Sequence, residues 1–304
     1  MKIVVVVCLA LGLAYCGYLA LLYVGQDGMV FPGRPADPAK IAEIRKYYRS
    51  LQDFAVKTAD GPTLRGFYLP RKTDGNPAPA ATPVVLYFHG NAEEQTGFFL
   101  WSPNELFPLG VAGVDYRGYG QSEGTPSEVA LKADALAVYD ALAAKIGPDP
   151  RIVVMGRSLG TALAAHVAAN RPAAAVILVT PFASLADIGQ ESHPMAPVRW
   201  LMKHPFDIRA DAARVTAPTL MLVAGDDTLT PPPHAHRLAE VWNGPADLRT
   251  IAAATHGNIV DSAAYWTAIR DFLAARLGIT IGQPAAKPMS PPAPEAAAVA
   301  APAS

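Results

Sequence analysis

The 304-residue chain is 51% hydrophobic and carries 25 basic against 26 acidic residues, a formal net charge of -1 at pH 7. That balance, with no basic stripe anywhere along the chain, argues against a polyanion partner, so no nucleic-acid contact is expected. Both cysteines, Cys8 and Cys16, fall in the apolar amino-terminal segment, leaving the rest of the chain without a thiol for a disulfide, a zinc site or nucleophilic chemistry.

From Ile3 to Val24 no side chain is charged, which matches the roughly 20 residues a membrane-spanning helix needs. A cleaved signal peptide is the rival reading, but its apolar region runs only about 7–15 residues. We therefore expect residues 1–25 to be an uncleaved single-pass anchor. "LAYC" before Gly17 also echoes a lipoprotein cysteine, against which stands the bulk of Tyr15. Lys2 and the terminal amine favour a cytoplasmic amino end, which puts the following domain on the periplasmic or extracytoplasmic side; Arg34 and Lys40 pull the other way.

Residues 26–52 read as a connector, with the Pro/Gly stretch "FPGRPADP" at 31–38 followed by a short amphipathic stretch from Pro38 to Arg49. "LQDFAVKTADGPTLRGFYLP" predicts two strands around an Asp60-Gly61 turn, and residues 75–82 a loop. Strands "PVVLYFH", "VAGVDY", "RIVVM", "AAVILV", "TLMLVA" and "LRTIA" follow, with helices over 127–145, 159–170, 234–241 and 259–276. Near-continuous apolar strands alternating with helices predict an α/β domain over 53–280, a doubly wound, mostly parallel sheet covered on both faces. A less regular stretch, 184–215, is the expected lid insertion, too short for a large helical cap. The Pro/Ala-rich tail, 281–304, cannot bury a core and is expected to be disordered.

Gly156-Arg157-Ser158-Leu159-Gly160 fits Gly-x-Ser-x-Gly where a strand gives way to a helix, the context of a nucleophile elbow. Flanking glycines remove the Cβ atoms that would crowd such a turn, and the helix start favours developing negative charge. The plainer reading is a helix cap. A serine nucleophile needs a base, and the base an orienting carboxylate, in the chain order Ser, Asp or Glu, His. Asp227 follows the strand "TLMLVA", and His256 follows the next strand, before the final helix. Asp226 competes with Asp227 but is expected to fix the local turn; Asp187 is a distant third. The pair His234-x-His236 lacks a third metal ligand at suitable spacing, so no metal site is expected.

His89-Gly90-Asn91-Ala92 ends another strand. Together with Leu159, the amides of Asn91 and Ala92 are the expected oxyanion donors, an ordinary strand-end turn being the alternative. His89 is expected to hold its loop and not to act as a base. In "DYRGYGQSEGTP", Asp115 and Arg117 are expected to pair and brace the floor of the site.

With these residues assembled, the chain resembles the α/β-hydrolase superfamily and, within it, a membrane-anchored group that includes the Bem46-like proteins. The similar features run in order: Gln26, Val30, Phe31 and Pro32 after the anchor, His89-Gly90-Asn91-Ala92, "DYRGYGQSEGTPSE", "GRSLGTALA", "TPFASL", "PFDIRADAARV", Asp227 and His256. Pro205 stands where the group commonly has arginine, and "THGN" replaces a more usual "GHND". The resemblance covers about Gln26 to Leu277 and implies a serine hydrolase acting on an ester, thioester or amide.

The residues then predict that Ser158 attacks an acyl carbonyl while His256 takes its proton and Asp227 sets the imidazole tautomer, with no cofactor. A membrane tether and a small lid favour acylated or lipid-like small molecules as substrates, met by an apolar patch around Met195, Trp200, Leu201 and Met202; a lid packing its own apolar residues onto the sheet accounts for the same pattern. A peptidase using the same triad and a non-catalytic membrane-tethered binding module are the alternatives.

Overall fold

The computed structural model describes residues 1–70, 72–73, 76–77, 82–279 and 281. Most of the loop expected over 75–82, and all of the expected tail except Ile281, lie outside the described residues.

Eight strands form the main sheet: β1 (Gln52–Lys57), β2 (Thr63–Leu69), β3 (Val84–Phe88), β4 (Gly110–Val114), β5 (Ile152–Arg157), β6 (Ala175–Val179), β7 (Thr219–Ala224) and β8 (Ala246–Ile251). Their spatial order is β1-β2-β4-β3-β5-β6-β7-β8. β2 pairs antiparallel with both β1 and β4, and every other pairing is parallel. The central strands are buried at every position or nearly so, which explains why their sequences read as unbroken apolar runs. Edge strand β1 instead alternates exposed and buried residues in its second half.

Because side chains alternate across a strand, the sheet feeds two cores. Val84, Leu86 and Phe88 enter one, packed under α4 (Glu128–Ile146) and α5 (Leu159–Asn170); Val85 and Tyr87 enter the other, under α2 (Pro38–Tyr47), α3 (Gln95–Glu105) and α10 (Ala263–Leu277). Caps fix the helix starts: the Ser127 hydroxyl accepts from the Ala130 amide at 3.2 Å, and Ser262 caps α10, which ends on Gly278 at φ 67°. Helix α3 is absent from the sequence reading; Gly97 and the internal Pro103 hide it.

The apolar amino-terminal segment is one helix, α1 (Lys2–Val30). Its first half is exposed along its length, Leu9, Leu11 and Leu13 each by more than 60%, and it is long and apolar enough to cross a bilayer. It runs past residue 25, into the segment read as connector, because its carboxyl-terminal half docks on residues 184–215, the stretch expected as a lid. Gln26 donates to the Leu201 carbonyl at 3.2 Å and accepts from the Lys203 amide at 2.6 Å. The lid carries three short helices, α6 (Leu185–Ser192), α7 (Val198–Leu201) and α8 (Arg209–Ala212). A ninth helix, α9 (Pro232–Glu240), follows β7.

Candidate active site

Ser158 sits between β5 and α5 at φ 51° and ψ -119°, a backbone conformation few non-glycine residues adopt. The chain must reverse there within a crowded space. A Cβ on Gly156 would lie 2.2 Å from the Gly160 carbonyl oxygen, and one on Gly160 would lie 2.1 Å from the Phe88 carbonyl oxygen. Glycine at both positions is a steric requirement, and the second contact shows how closely the end of β3 abuts the start of α5. Thr180 after β6 and Ala253 after β8 also have positive φ, so strained residues gather along the carboxyl edge of the sheet.

Asp227 is buried in the loop after β7. Its Oδ2 meets His256 Nδ1 at 2.8 Å, while its Oδ1 accepts the amides of Leu229 at 2.9 Å and Thr230 at 2.8 Å. Burial alone raises the Asp227 pKa, but the hydrogen bond and charge of His256 with the Thr230 contacts outweigh it and hold the group below the usual carboxylate range. A carboxylate at Nδ1 fixes the tautomer that leaves Nε2 able to accept a proton. Among the described residues, Ser158 Oγ and His256 Nε2 make no hydrogen bond to each other or to any other group; such bonds are often long before substrate arrives.

Two residues complete this arrangement that the sequence did not single out. Thr230 Oγ1 lies 2.9 Å from Asp227 Oδ2, 3.1 Å from His256 Nδ1 and 3.3 Å from the Thr180 carbonyl. Arg157 donates to the His256 carbonyl at 2.5 Å and also pairs with Glu93, whose carboxylate accepts from the Gly90 amide at 2.8 Å. The nucleophile turn, the histidine loop and the loop after β3 are thereby tied to one guanidinium. The amides of Asn91, Ala92 and Leu159 donate to no acceptor among the described residues, the state an anion site requires.

His89 holds its loop as expected. Its Nδ1 donates to the Gly90 carbonyl at 2.7 Å, and Nε2 faces the Tyr116 amide at 3.4 Å. Burial pushes its pKa down to about 4, keeping the ring neutral near pH 7.

Two expectations need correction. Asp115 and Arg117 do not pair: Arg117 grips Asp134 (2.7 Å) and Asp60 (2.6 Å), and Asp115 accepts the Gln95 amide at 2.8 Å. The strand ends at Val114 and the chain turns over Tyr116–Tyr119, so strand alternation, which would put residues 115 and 117 on one side, no longer sets where Arg117 points. Burial pushes the Asp115 pKa up to about 7, partly countered by the Gln95 amide. Asp226 is exposed and fixes no turn; Asp227 makes those local bonds itself. Asp187 belongs to the lid, paired with Arg199 at 2.9 Å and Arg209 at 3.5 Å. His234 is engaged by Glu191 at 2.9 Å and Arg237 at 2.8 Å.

Residues 79–206 match the family model described as Hydrolase_4, serine aminopeptidase, S33. An uncharacterized protein of Mycobacterium tuberculosis is 35% identical over 227 residues, which span 73% of this chain and 79% of that one. The chain belongs to the α/β-hydrolase superfamily. This α/β-hydrolase is also 34% identical over 171 residues to the lysophosphatidylserine lipase ABHD12 of Danio rerio, a match covering 49% of this chain and 44% of the relative. Its fold is that of the Pyrococcus furiosus esterase Pf2001, with TM-score 0.64 at 17% identity, covering 82% of this chain and 98% of that one. The acetyl xylan esterase from Paenibacillus sp. R4 aligns with TM-score 0.59 at 18% identity, over 83% and 99% of the two chains. This α/β-hydrolase carries an exposed, apolar amino-terminal helix.

Proposed function

We propose that the protein cleaves acyl esters or thioesters of lipid-like molecules at a membrane surface, through an acyl-enzyme on Ser158. The observation that carries this reading is the 2.8 Å contact of His256 Nδ1 with buried Asp227, beside a serine held at positive φ on a strand-to-helix turn. His256 Nε2 takes the hydroxyl proton as Oγ bonds to the acyl carbon, then gives it to the departing alcohol or thiol. Water, deprotonated by the same ring, releases the acid. The amides of Leu159 and of Asn91 or Ala92 hold the oxyanion, a device whose loss typically costs about 3–4 kcal/mol per donor.

A lipid-like substrate is supported by the relatives named as lysophosphatidylserine lipases and by the exposed apolar helix, which we read as a single-pass anchor of the membrane-bound, Bem46-like kind. In this reading 53–280 is the hydrolase domain. The peptidase alternative draws on the serine aminopeptidase family model. It needs a free carboxylate for a peptide ammonium, and the lid's Asp187 and Glu191 are both already paired with cations.

The test is labelling of the purified full-length protein by a fluorophosphonate, wild type beside Ser158→Ala, followed by p-nitrophenyl esters of graded length and aminoacyl anilides. Labelling that vanishes in the variant, with turnover of esters, is expected. No labelling of wild type favours a binding module; anilide cleavage alone favours the peptidase.

A further inference from the structure

The lid does not close on the sheet alone. Between it and the carboxyl-terminal half of α1 lies a cavity of about 240 Å³, walled by Leu22 and Met29 of the helix, by Ile188, Val198 and Leu201 of the lid, and at one point by Asn91. Asn91 follows β3, whose Phe88 pairs with Gly156, two residues before Ser158. The cavity therefore reaches the loop that carries the expected anion-hole amides, at Asn91, and runs away from it along an apolar wall. Gln26, which also borders it, has its side-chain oxygen and nitrogen engaged by Lys203, Tyr23 and Leu201, and does not add a free polar group to the wall.

The level of this cavity relative to a bilayer follows from two tyrosines. Tyr15 donates to the Met195 carbonyl at 2.7 Å, and Tyr18 meets His193 Nδ1 at 3.2 Å. Both tyrosines lie within the uncharged run Ile3–Val24. At about 1.5 Å per residue, Tyr15 sits roughly 13 Å along the helix from Val24, so a membrane that took up the whole run would immerse the lid rim by about that depth, whereas one that takes up the exposed part ahead of Tyr15 brings the rim to its interface. That rim presents Met195 and Trp200, 77% and 91% exposed, and tyrosine and tryptophan favour the headgroup level.

We propose that this cavity is the acyl-chain site of the hydrolase, that the anchor helix forms one of its walls, and that the substrate is a monoacyl ester drawn from the bilayer with its carbonyl at Asn91. The volume falls below the roughly 300–1,000 Å³ of drug-sized sites, room for one chain and not for two. The assignment rests on the serine-hydrolase reading above and deepens it.

The experiment uses the full chain in phosphatidylcholine nanodiscs and compares inactivation by ethyl and dodecyl fluorophosphonates. Wild type should react faster with the dodecyl probe. Filling the cavity by Leu22→Trp or Ile188→Trp should lower the dodecyl-to-ethyl ratio by about tenfold or more, since each methylene excluded is worth about fourfold. Leu11→Trp, on the exposed half of the helix, should leave the ratio at the wild-type value. A wild-type ratio near one, or a ratio unmoved by filling, overturns the acyl site while leaving the hydrolase standing. Failure of both probes on wild type overturns the hydrolase reading and this assignment with it. Should Ile188→Trp misfold by thermal melting, Leu22→Trp on the separate helix decides.

Discussion

Arg157 donates to the main-chain oxygen of His256 at 2.5 Å, so the residue before the expected nucleophile holds the loop of the expected base. Its other contact, Glu93, in turn receives the Gly90 amide. Losing a charged hydrogen bond of this kind typically costs about 1.5–3 kcal/mol. Arg157→Met should therefore lower kcat on a p-nitrophenyl ester by roughly 10- to 100-fold with little change in KM. Arg157→Lys, with a single ammonium that cannot serve both partners, should fall between. An unaltered kcat in both variants would remove Arg157 from any positioning role.

Asp227→Asn should reduce kcat by about 10⁴, as expected when the imidazole takes the wrong tautomer. Its effect on acid stability has a definite sign. The folded pKa of Asp227 lies below its ordinary value, so its stabilising contribution is fully present above about pH 3.9 and fades as pH falls through the lower folded value. Urea melts from pH 2 to 5 should show a shallower acid-side loss in the variant than in wild type.

Asp115 behaves in the opposite sense. With its pKa pushed up to about 7 by burial, the folded state holds a proton that the unfolded chain releases near pH 3.9, and stability falls as pH rises between those values. The penalty is on the order of 4 kcal/mol by pH 7. Asp115→Asn can still accept the Gln95 amide and should flatten this slope; parallel slopes for the two proteins would count against a buried, protonated Asp115.

Gly160→Ala should destabilise the domain by about 3 kcal/mol or more, because the new methyl meets the Phe88 carbonyl oxygen at 2.1 Å and main chain must move. Ala at Gly257, where nothing lies within 4 Å, should be nearly neutral. Denaturant midpoints of the two variants make the comparison.

The buried Arg117–Asp134 pair ties the loop after β4 to α4, and Arg117 bonds Asp134 and Asp60 and none of Ser158, Asp227 and His256. Asp134→Ala leaves Arg117 paired only with the exposed Asp60, and the loss should fall near the lower end of about 3–5 kcal/mol. Ester turnover at low temperature, where the variant stays folded, should be within about twofold of wild type.

The sheet was legible because each central strand is buried on both faces and so reads as an apolar run between turn residues. The gathering of residues 158, 227 and 256 at one sheet edge was legible for a related reason: each follows a strand, and parallel strands end at the same edge. What escaped was decided in three dimensions. Arg157 occupies a free position of the Gly-x-Ser-x-Gly pattern, and its partners, Glu93 and His256, come from two other loops. The partners of Arg117 lie on β1's turn and on α4, with no local pattern to announce them. Helix α3 carries a glycine and a proline, so its propensity argues against the helix that packing imposes.

The hold of Gln26 on Leu201 and Lys203 bears on how the enzyme can be handled. A shortened chain starting at Phe31, the obvious choice for a water-soluble preparation, strips the Leu201 carbonyl and the Lys203 amide of their side-chain partner and bares the apolar side of Leu201 and Met202. Selectivity measured on such a preparation would describe a different molecule from the full chain.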